Sequence, residues 1–274
     1  MKTFIRRPGN KTRYVKFIAP HLPSQINTYY EPFIGTGAVF LYLEPKKWVI
    51  NDINTDVFQI WQTVLNNPKQ LLKYFQILQE RLLSMSEEEK IEYCQKETKE
   101  IESKRYGAKR AALFLFMTYI AYVGHIQRNH SFYFPGLHKS VKFEKLHCLS
   151  SQYKDNLLNI QHFLKGTKGV IQNHDYKHTL KKAKDGDFVF LDPPYIEDHN
   201  YQLNYNNDEE LRESFINDLL KTCQELDKRG VKWLMTQANT EIIRKVFKDY
   251  KQIKYPVFRG YTNSYSSEII IKNY

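Results

Sequence analysis

Asp192-Pro193-Pro194-Tyr195 sets a carboxylate, two stiff imide units and an aromatic ring in four consecutive positions. Each proline fixes φ and the second restricts the first, so the segment leaves strand pairing and is held extended. An ionised Asp only accepts hydrogen bonds, and the proline-rich backbone beside it exposes a carbonyl that lacks a ladder partner. Together they can take both hydrogens of a planar amino group. Such a nitrogen is a poor nucleophile while its lone pair is delocalised, and accepting its hydrogens pushes it toward sp³, each charge-assisted bond contributing about 1.5 to 3 kcal/mol. Tyr195 adds a face on which a planar ring can stack, at about 1 to 3 kcal/mol per base. The exocyclic amine of a nucleobase fits this order of residues; the competing reading is a rigid turn.

A second constellation is Pro32-Phe33-Ile34-Gly35-Thr36-Gly37. Paired glycines between a strand and a helix permit a sharp turn and close backbone approach by a ligand. The third glycine of a dinucleotide fingerprint is missing, since Phe40 stands three positions beyond Gly37, which counts against a pyrophosphate on the helix N-terminus. A nucleoside ligand without phosphates remains open. Asp52 closes the next strand, where a carboxylate can bind ribose hydroxyls or cap a helix. The basic segment Arg7 to Arg13 reads equally as a phosphate-attracted arm.

The elements needed to position these groups are legible. A strand near Thr28 to Pro32, the glycine turn, a helix through Ala38 to Leu41 and a strand Trp48 to Asp52 form a βαβ opening. From Val57 to Tyr122 the apolar spacing is helical throughout. Gly124 to Ser140 mixes Gly, His, Arg, Asn and Pro with Phe132, Tyr133 and Phe134, as an irregular hairpin does. Short buried strands return at Gly169 to Asn173, Asp187 to Leu191 and Val231 to Met235, with a helix from about Asp208 to Arg229 ended by Gly230. Two more strands, Lys254 to Phe258 and Glu268 to Ile271, are joined by a polar loop. The expected fold class is α/β, one doubly wound sheet split by a helical insertion.

The chain has 274 residues, long enough for such a domain, and its 42% hydrophobic and 26% charged composition excludes a disordered or fibrous chain. A formal net charge of +11 favours a polyanionic partner, nucleic acid foremost. Cys94, Cys148 and Cys223 are odd in number and widely spaced, which argues against a disulfide framework or zinc site, and no metal is expected. The N-terminus has no apolar signal region and no run of about 18 apolar residues occurs. A cytoplasmic protein, neither secreted nor membrane-bound, is expected.

These residues together resemble the Dam-type DNA adenine methyltransferases of phage and bacteria, the D12 class, over nearly the whole chain. Gly9-Asn10-Lys11 resembles that family's N-terminal cofactor segment, and Glu31-Pro32-Phe33-Ile34-Gly35-Thr36-Gly37 its FxGxG cofactor loop. Asn51-Asp52-Ile53-Asn54 is similar to the ribose-holding segment, Asp175-Tyr176 falls where the family contacts the cofactor's adenosine, and Asp185 to Tyr195 resembles the catalytic segment.

The resemblance implies a Rossmann-like sheet that binds S-adenosylmethionine and methylates N6 of a flipped-out adenine in double-stranded DNA. It implies Asp192, Pro193, Pro194 and Tyr195 as catalytic residues. Gly9, Lys11, Glu31, Phe33, Gly35, Gly37, Asp52, Asp175, Tyr176 and Asp192 are the implied cofactor contacts. It places the methyltransferase domain in residues 1–56 and 150–274 and a target-recognition insertion in 57–149, with a hairpin at about 124–140. In that hairpin Arg128, Asn129, Phe134 and Pro135 are the implied DNA contacts. A monomer or weak dimer on DNA, of bacterial, phage or viral origin, is expected.

Two departures bear on this. Arg7 stands where the family carries an aromatic residue, so either the cofactor packs differently here or Phe4 takes that place, and the hairpin tip is short, so a GATC target does not carry over. The same motif would also serve a cytosine-N4 or RNA amino-methyltransferase. A dinucleotide oxidoreductase is disfavoured by Phe40, and a non-catalytic DNA-binding protein would have no reason to keep Asp192 beside a cofactor loop.

Overall fold

The computed structural model describes residues 1–103, 107–121, 127–128, 131–132, 150–195, 209–259 and 264–274. The chain divides into two compact units. One comprises Met1–Thr12, Gly35–Glu44 and Asn54–Asn173; the other comprises Arg13–Ile34, Pro45–Ile53 and His174–Tyr274.

The first unit is mainly helical. After a one-turn helix α1 (Val15–Ile18) and a strand β1 (Tyr29–Glu31) in the second unit, it holds α2 (Ala38–Leu43). Past strand β2 (Lys47–Asn51) it continues with α3 (Thr55–Asn66), α4 (Pro68–Leu83), α5 (Glu87–Ser103) and α6 (Ala108–Ile120). Caps fix the starts: Asn54 accepts from the backbone of Asp56 and Val57, Asn67 from that of Gln70, and Ser86 and Glu89 form a reciprocal capping box. The apolar positions Leu71, Phe75, Leu78 and Leu82 of α4 are buried at helical spacing, and α6 is buried almost all round. Phe4 packs edge-on against Trp61 at 4.9 Å between ring centroids, and its carbonyl accepts from Tyr119 and Tyr153 hydroxyls at 2.7 and 3.0 Å. Phe4 is thus a core residue. A two-residue ladder, β3 (Gln127–Arg128) with β4 (Ser131–Phe132), is the described part of the expected hairpin. Helix α7 (Ser151–Gly166), capped by Ser150, and strand β5 (Lys168–Gln172) complete the unit.

The second unit carries the sheet. Its later elements are α8 (Tyr176–Leu180), β6 (Phe188–Leu191), α9 (Glu209–Lys228), β7 (Lys232–Ala238), α10 (Glu241–Val246), β8 (Lys251–Arg259) and β9 (Ser264–Lys272). Six of its strands neighbour one another in the order β2-β1-β6-β7-β9-β8. β2, β1, β6 and β7 are parallel, whereas β9 and β8 are added antiparallel. The order reverses between β1 and β6. In an open α/β sheet the carboxyl ends at such a switch point form the ligand crevice.

One sheet face contributes Tyr30, Val189, Leu191, Trp233, Met235, Ile269 and Ile271 to a core shared with Ile216, Leu219 and Leu226 of α9. Helix α9 ends as expected before Gly230, whose φ of +70° supplies the left-handed residue while Val231 N–H donates back to the Leu226 carbonyl. The Asp227 carboxylate then receives Trp233 Nε1, Tyr250 Oη and Asn273 Nδ2, fixing α9 to β7 and the C-terminus.

The α/β class read from the sequence is the class observed. The last two strands are longer than their apolar runs: β8 begins at Lys251 and Ser264 to Ser267 belong to β9, because Phe258 pairs with Tyr265 and Pro256 with Ser267. Pro256 is tolerated because β8 is an edge strand and its missing donor faces no neighbour.

Candidate active site

Residues that alternate with the core positions lie on the opposite sheet face, and near its carboxyl edge that face is polar. Asp192 directly follows β6, and Leu191 is in register with Met235 of β7, so the next pair outward is Asp192 and Thr236. The Thr236 hydroxyl donates to Asp192 Oδ1 at 2.6 Å. Gln237 Nε2 donates to the Pro194 carbonyl at 3.3 Å, which anchors the proline segment. Tyr195 donates its hydroxyl to Glu268 Oε2 at 2.7 Å, and Tyr255 donates to the same oxygen. Glu268 lies opposite Tyr255 across β8/β9 and opposite Ala238 across β7/β9, so pairing alone brings it to this edge.

Burial, followed by the nearby Asp192 charge, holds the Tyr195 phenol well above its ordinary pKa; burial then Glu268 does the same to Tyr255. Both remain protonated donors. On β1, Tyr29 donates to Glu31 Oε2 at 2.6 Å, and burial followed by Glu31 raises its pKa as well. Glu31 and Asp192 therefore stand at the carboxyl ends of the two strands that flank the switch point.

The expected cofactor residues of this unit are tied together by Asn51, which is 1% exposed. Its Nδ2 donates to the carbonyls of Pro32 and His174 at 2.9 and 3.0 Å, its Oδ1 accepts from His174 N–H at 2.9 Å, and its carbonyl accepts from Ile34 N–H at 2.8 Å. One buried amide thus clamps the loops after β1 and before α8. Phe33 and Tyr176 are brought ring to ring at 5.1 Å and 33°. Asp52 is half-buried beyond β2, and the cap of α3 is Asn54, so Asp52 is not the helix cap. Asp175 is exposed and caps α8 by accepting from Lys177 N–H at 2.8 Å.

In the first unit, Gly35 and Gly37 adopt φ of +45° and +67°, which only glycine takes without strain, and a Cβ on Gly35 would meet no atom within 4 Å. The Gly35 carbonyl accepts from Trp61 Nε1 at 3.1 Å. Lys11 is buried, with Nζ donating to the Gly9 carbonyl at 3.1 Å, and the Arg7 guanidinium lies 5.8 Å over the Phe114 ring. Arg128 is in β3, opposite Ser131. Asn129, Phe134 and Pro135 lie outside the described residues.

The family model of D12 class N6 adenine-specific DNA methyltransferases matches residues 8–259. The chain belongs to this family. Among similar proteins, the type II methyltransferase M1.LlaDCHI of Lactococcus lactis is 26% identical, covering 100% of this chain and 96% of its own length. The type II methyltransferase M.MjaIII of Methanocaldococcus jannaschii is 28% identical over 91% of this chain and 89% of its own. A DNA adenine methylase of Haemophilus influenzae is 21% identical over 99% and 91%.

The protein is an adenine-specific DNA methyltransferase with the Rossmann-like α/β fold expected from its motifs. No helix among the described residues is long and apolar enough to cross a membrane. In this methyltransferase Asn51 is legible in the sequence only within the ribose-like segment, Tyr255 and Glu268 only as members of the last two strands, and Thr236 and Gln237 by no motif. The available signal was polarity at the ends of apolar strands: Thr236 and Gln237 follow Trp233-Leu234-Met235, and Glu268 precedes Ile269-Ile270-Ile271.

Proposed function

We propose that the enzyme methylates N6 of an adenine flipped out of double-stranded DNA at a specific sequence, with S-adenosylmethionine as donor. The observation that carries this is Asp192 at the carboxyl end of β6, its carboxylate held by Thr236 beside a proline segment anchored by Gln237. The target nitrogen is inaccessible in a stacked duplex, so extrusion at a cost of a few kcal/mol precedes chemistry.

The residues of the second unit fit the cofactor's chemistry. The Phe33 and Tyr176 rings offer flat apolar walls for a purine, Asp52 suits ribose hydroxyls, and Glu31 suits a cationic group. Asp175 stands at the head of α8 beside Tyr176, where its carboxylate suits the purine's amino edge. When bound, the cofactor supplies an electrophilic methyl on a sulfonium centre.

Asp192 and the Pro193 carbonyl accept the two hydrogens of N6 and align its lone pair with that methyl. Tyr195 stacks on the adenine ring. The cofactor would supply the methyl and leave as its thioether, and the N6 proton, acidic as the nitrogen gains positive charge, would pass to the Asp192 carboxylate or to water. No strong base is required, and catalysis rests on positioning and electrostatics. Residues 57–149 are proposed as the target-recognition insertion, with Arg128, Asn129, Phe134 and Pro135 on the DNA, and residues 1–56 and 150–274 as the methyltransferase domain.

The test is Asp192→Ala, assayed for N6-methyladenine by mass spectrometry of digested duplex DNA. Loss of transfer with cofactor and DNA binding retained supports the reading. Substantial turnover sinks it, and methyl appearing on cytosine or only on RNA redirects it.

A further inference from the structure

We propose that Glu268 is a positioning residue that sets the orientation of the Tyr195 ring against the extruded base. The proposal deepens the reading above, since it presupposes that Tyr195 stacks on adenine. Tyr195 is the last residue of the rigid proline segment, and its ring still has two side-chain torsions to fix. The hydroxyl end restrains them, 2.7 Å from Glu268 Oε2. Glu268 is itself immobilised: it sits inside β9, paired to β7 on one side and β8 on the other, and its Oε2 also receives the Tyr255 hydroxyl. Tyr255 in turn is stacked on Phe17 at 5.8 Å and 28°. The Tyr195 hydroxyl is therefore tethered to a carboxylate whose position is set by two neighbouring strands and a second phenol.

The chemistry explains why a phenol rather than a phenyl group stands after the prolines. A Phe at 195 would stack equally well on a base in principle, because stacking uses the ring face. A hydrogen bond to a charged acceptor lends direction that a ring alone lacks. Charge also matters to the choice of Glu, since a carboxylate oxygen receives two phenol donors at once while an amide offers a weaker acceptor. The antiparallel β8/β9 addition thereby acquires a role in the reaction beyond closing the sheet edge.

The experiment is a double-mutant cycle on the full-length enzyme with Tyr195→Phe, Glu268→Gln and the pair. It reads single-turnover methylation, KM for cofactor, and fluorescence of 2-aminopurine placed at the target adenine. Tyr195→Phe and Glu268→Gln are each expected to lower the methylation rate roughly tenfold, the loss of one charge-assisted bond, and to change the 2-aminopurine signal while leaving cofactor KM unaltered. The pair is expected to lose no more than either alone.

Additive losses, or a Glu268→Gln enzyme with native rate and fluorescence, overturn the proposal. If Glu268→Gln does not fold, Tyr195→Phe decides alone, since native rate and fluorescence in that variant show that the tether does nothing. The stacking reading fails separately: it falls if Tyr195→Ala retains the native rate, whatever Glu268 does.

Discussion

Thr236 donates its hydroxyl to Asp192 Oδ1 at 2.6 Å across the parallel pair β6/β7, and strand register alone makes the two residues neighbours. Thr236 is 0% exposed, so this bond is not exchanged for water. The Asp192 carboxylate therefore has one oxygen already oriented before any ligand arrives. Thr236→Val keeps shape and removes the donor. Its kcat is expected to fall by about tenfold, the loss of roughly 1.5 kcal/mol of charge-assisted bonding, with DNA and cofactor affinities near native. Thr236→Ser should retain most activity; equal losses in both would show that the hydroxyl is not the operative group.

Asn51→Leu leaves the Pro32 and His174 carbonyls and the His174 N–H without their buried partner. Urea denaturation is expected to show a loss of about 3 kcal/mol, from two or three unsatisfied groups. Isothermal titration with S-adenosylmethionine should show weaker binding at temperatures where the variant is folded, because Phe33 and Tyr176 lose their clamp. Unchanged cofactor affinity would assign Asn51 to stability alone.

Arg110 pairs with Asp56 through Nε to Oδ1 at 2.7 Å and a second nitrogen to Oδ2 at 3.2 Å, with the Asp56 side chain 5% exposed. Arg110→Ala leaves that carboxylate buried and uncompensated, at an expected cost of about 3 kcal/mol in thermal or urea unfolding. Asp56→Asn with Arg110→Met should recover part of the loss, as removal of both charges removes the penalty; no recovery would place the defect elsewhere.

Tyr29, Tyr195 and Tyr255 have folded-state phenol pKa values held above the ordinary value of 10, chiefly by burial. Since the folded state holds these protons more tightly, their contribution is complete below pH 10 and declines as the pH rises through the interval between unfolded and folded values. Activity should therefore show no tyrosine ionisation on the neutral side. Absorbance at the tyrosinate band should rise in two stages, exposed residues first and the buried set only with loss of circular dichroism.

As a proposed DNA contact, Arg128 is the position at which phosphate attraction and base reading can be told apart. DNA affinity is expected to fall steeply with salt, given a net charge of +11. Replacing Arg128 by Ala either reduces the salt slope by about 1 with uniform weakening across sequences, which marks a phosphate contact, or relaxes specificity at one base pair. Methylation mapping by single-molecule sequencing, done in parallel, identifies the position affected.

The sequence by itself determined the stiff segment Asp192 to Tyr195, the glycine turn and the α/β class. These are local: prolines fix φ within Asp192 to Tyr195, positive φ at Gly35 and Gly37 belongs to single residues, and the apolar runs of β6 and β7 announce buried parallel strands, whereas β5, expected from Gly169 to Asn173 to be buried, is mostly exposed. Helix α4 was legible for the same reason, its Leu71, Phe75, Leu78 and Leu82 repeating within one turn's reach.

What only the tertiary structure decided was which distant residues complete the site. Thr236 is 44 residues from Asp192 and Glu268 is 73 from Tyr195, and each meets its partner through strand order and register. Asn51, at the end of β2, reaches His174 in the loop before α8 across 123 positions. A Thr, an Asn or a Glu at a strand end has no periodic signature, because its value lies in a donor or acceptor distant in sequence that only folding brings within reach. The carboxylate and the ring were visible in the primary structure; the groups that hold them in place came with the sheet.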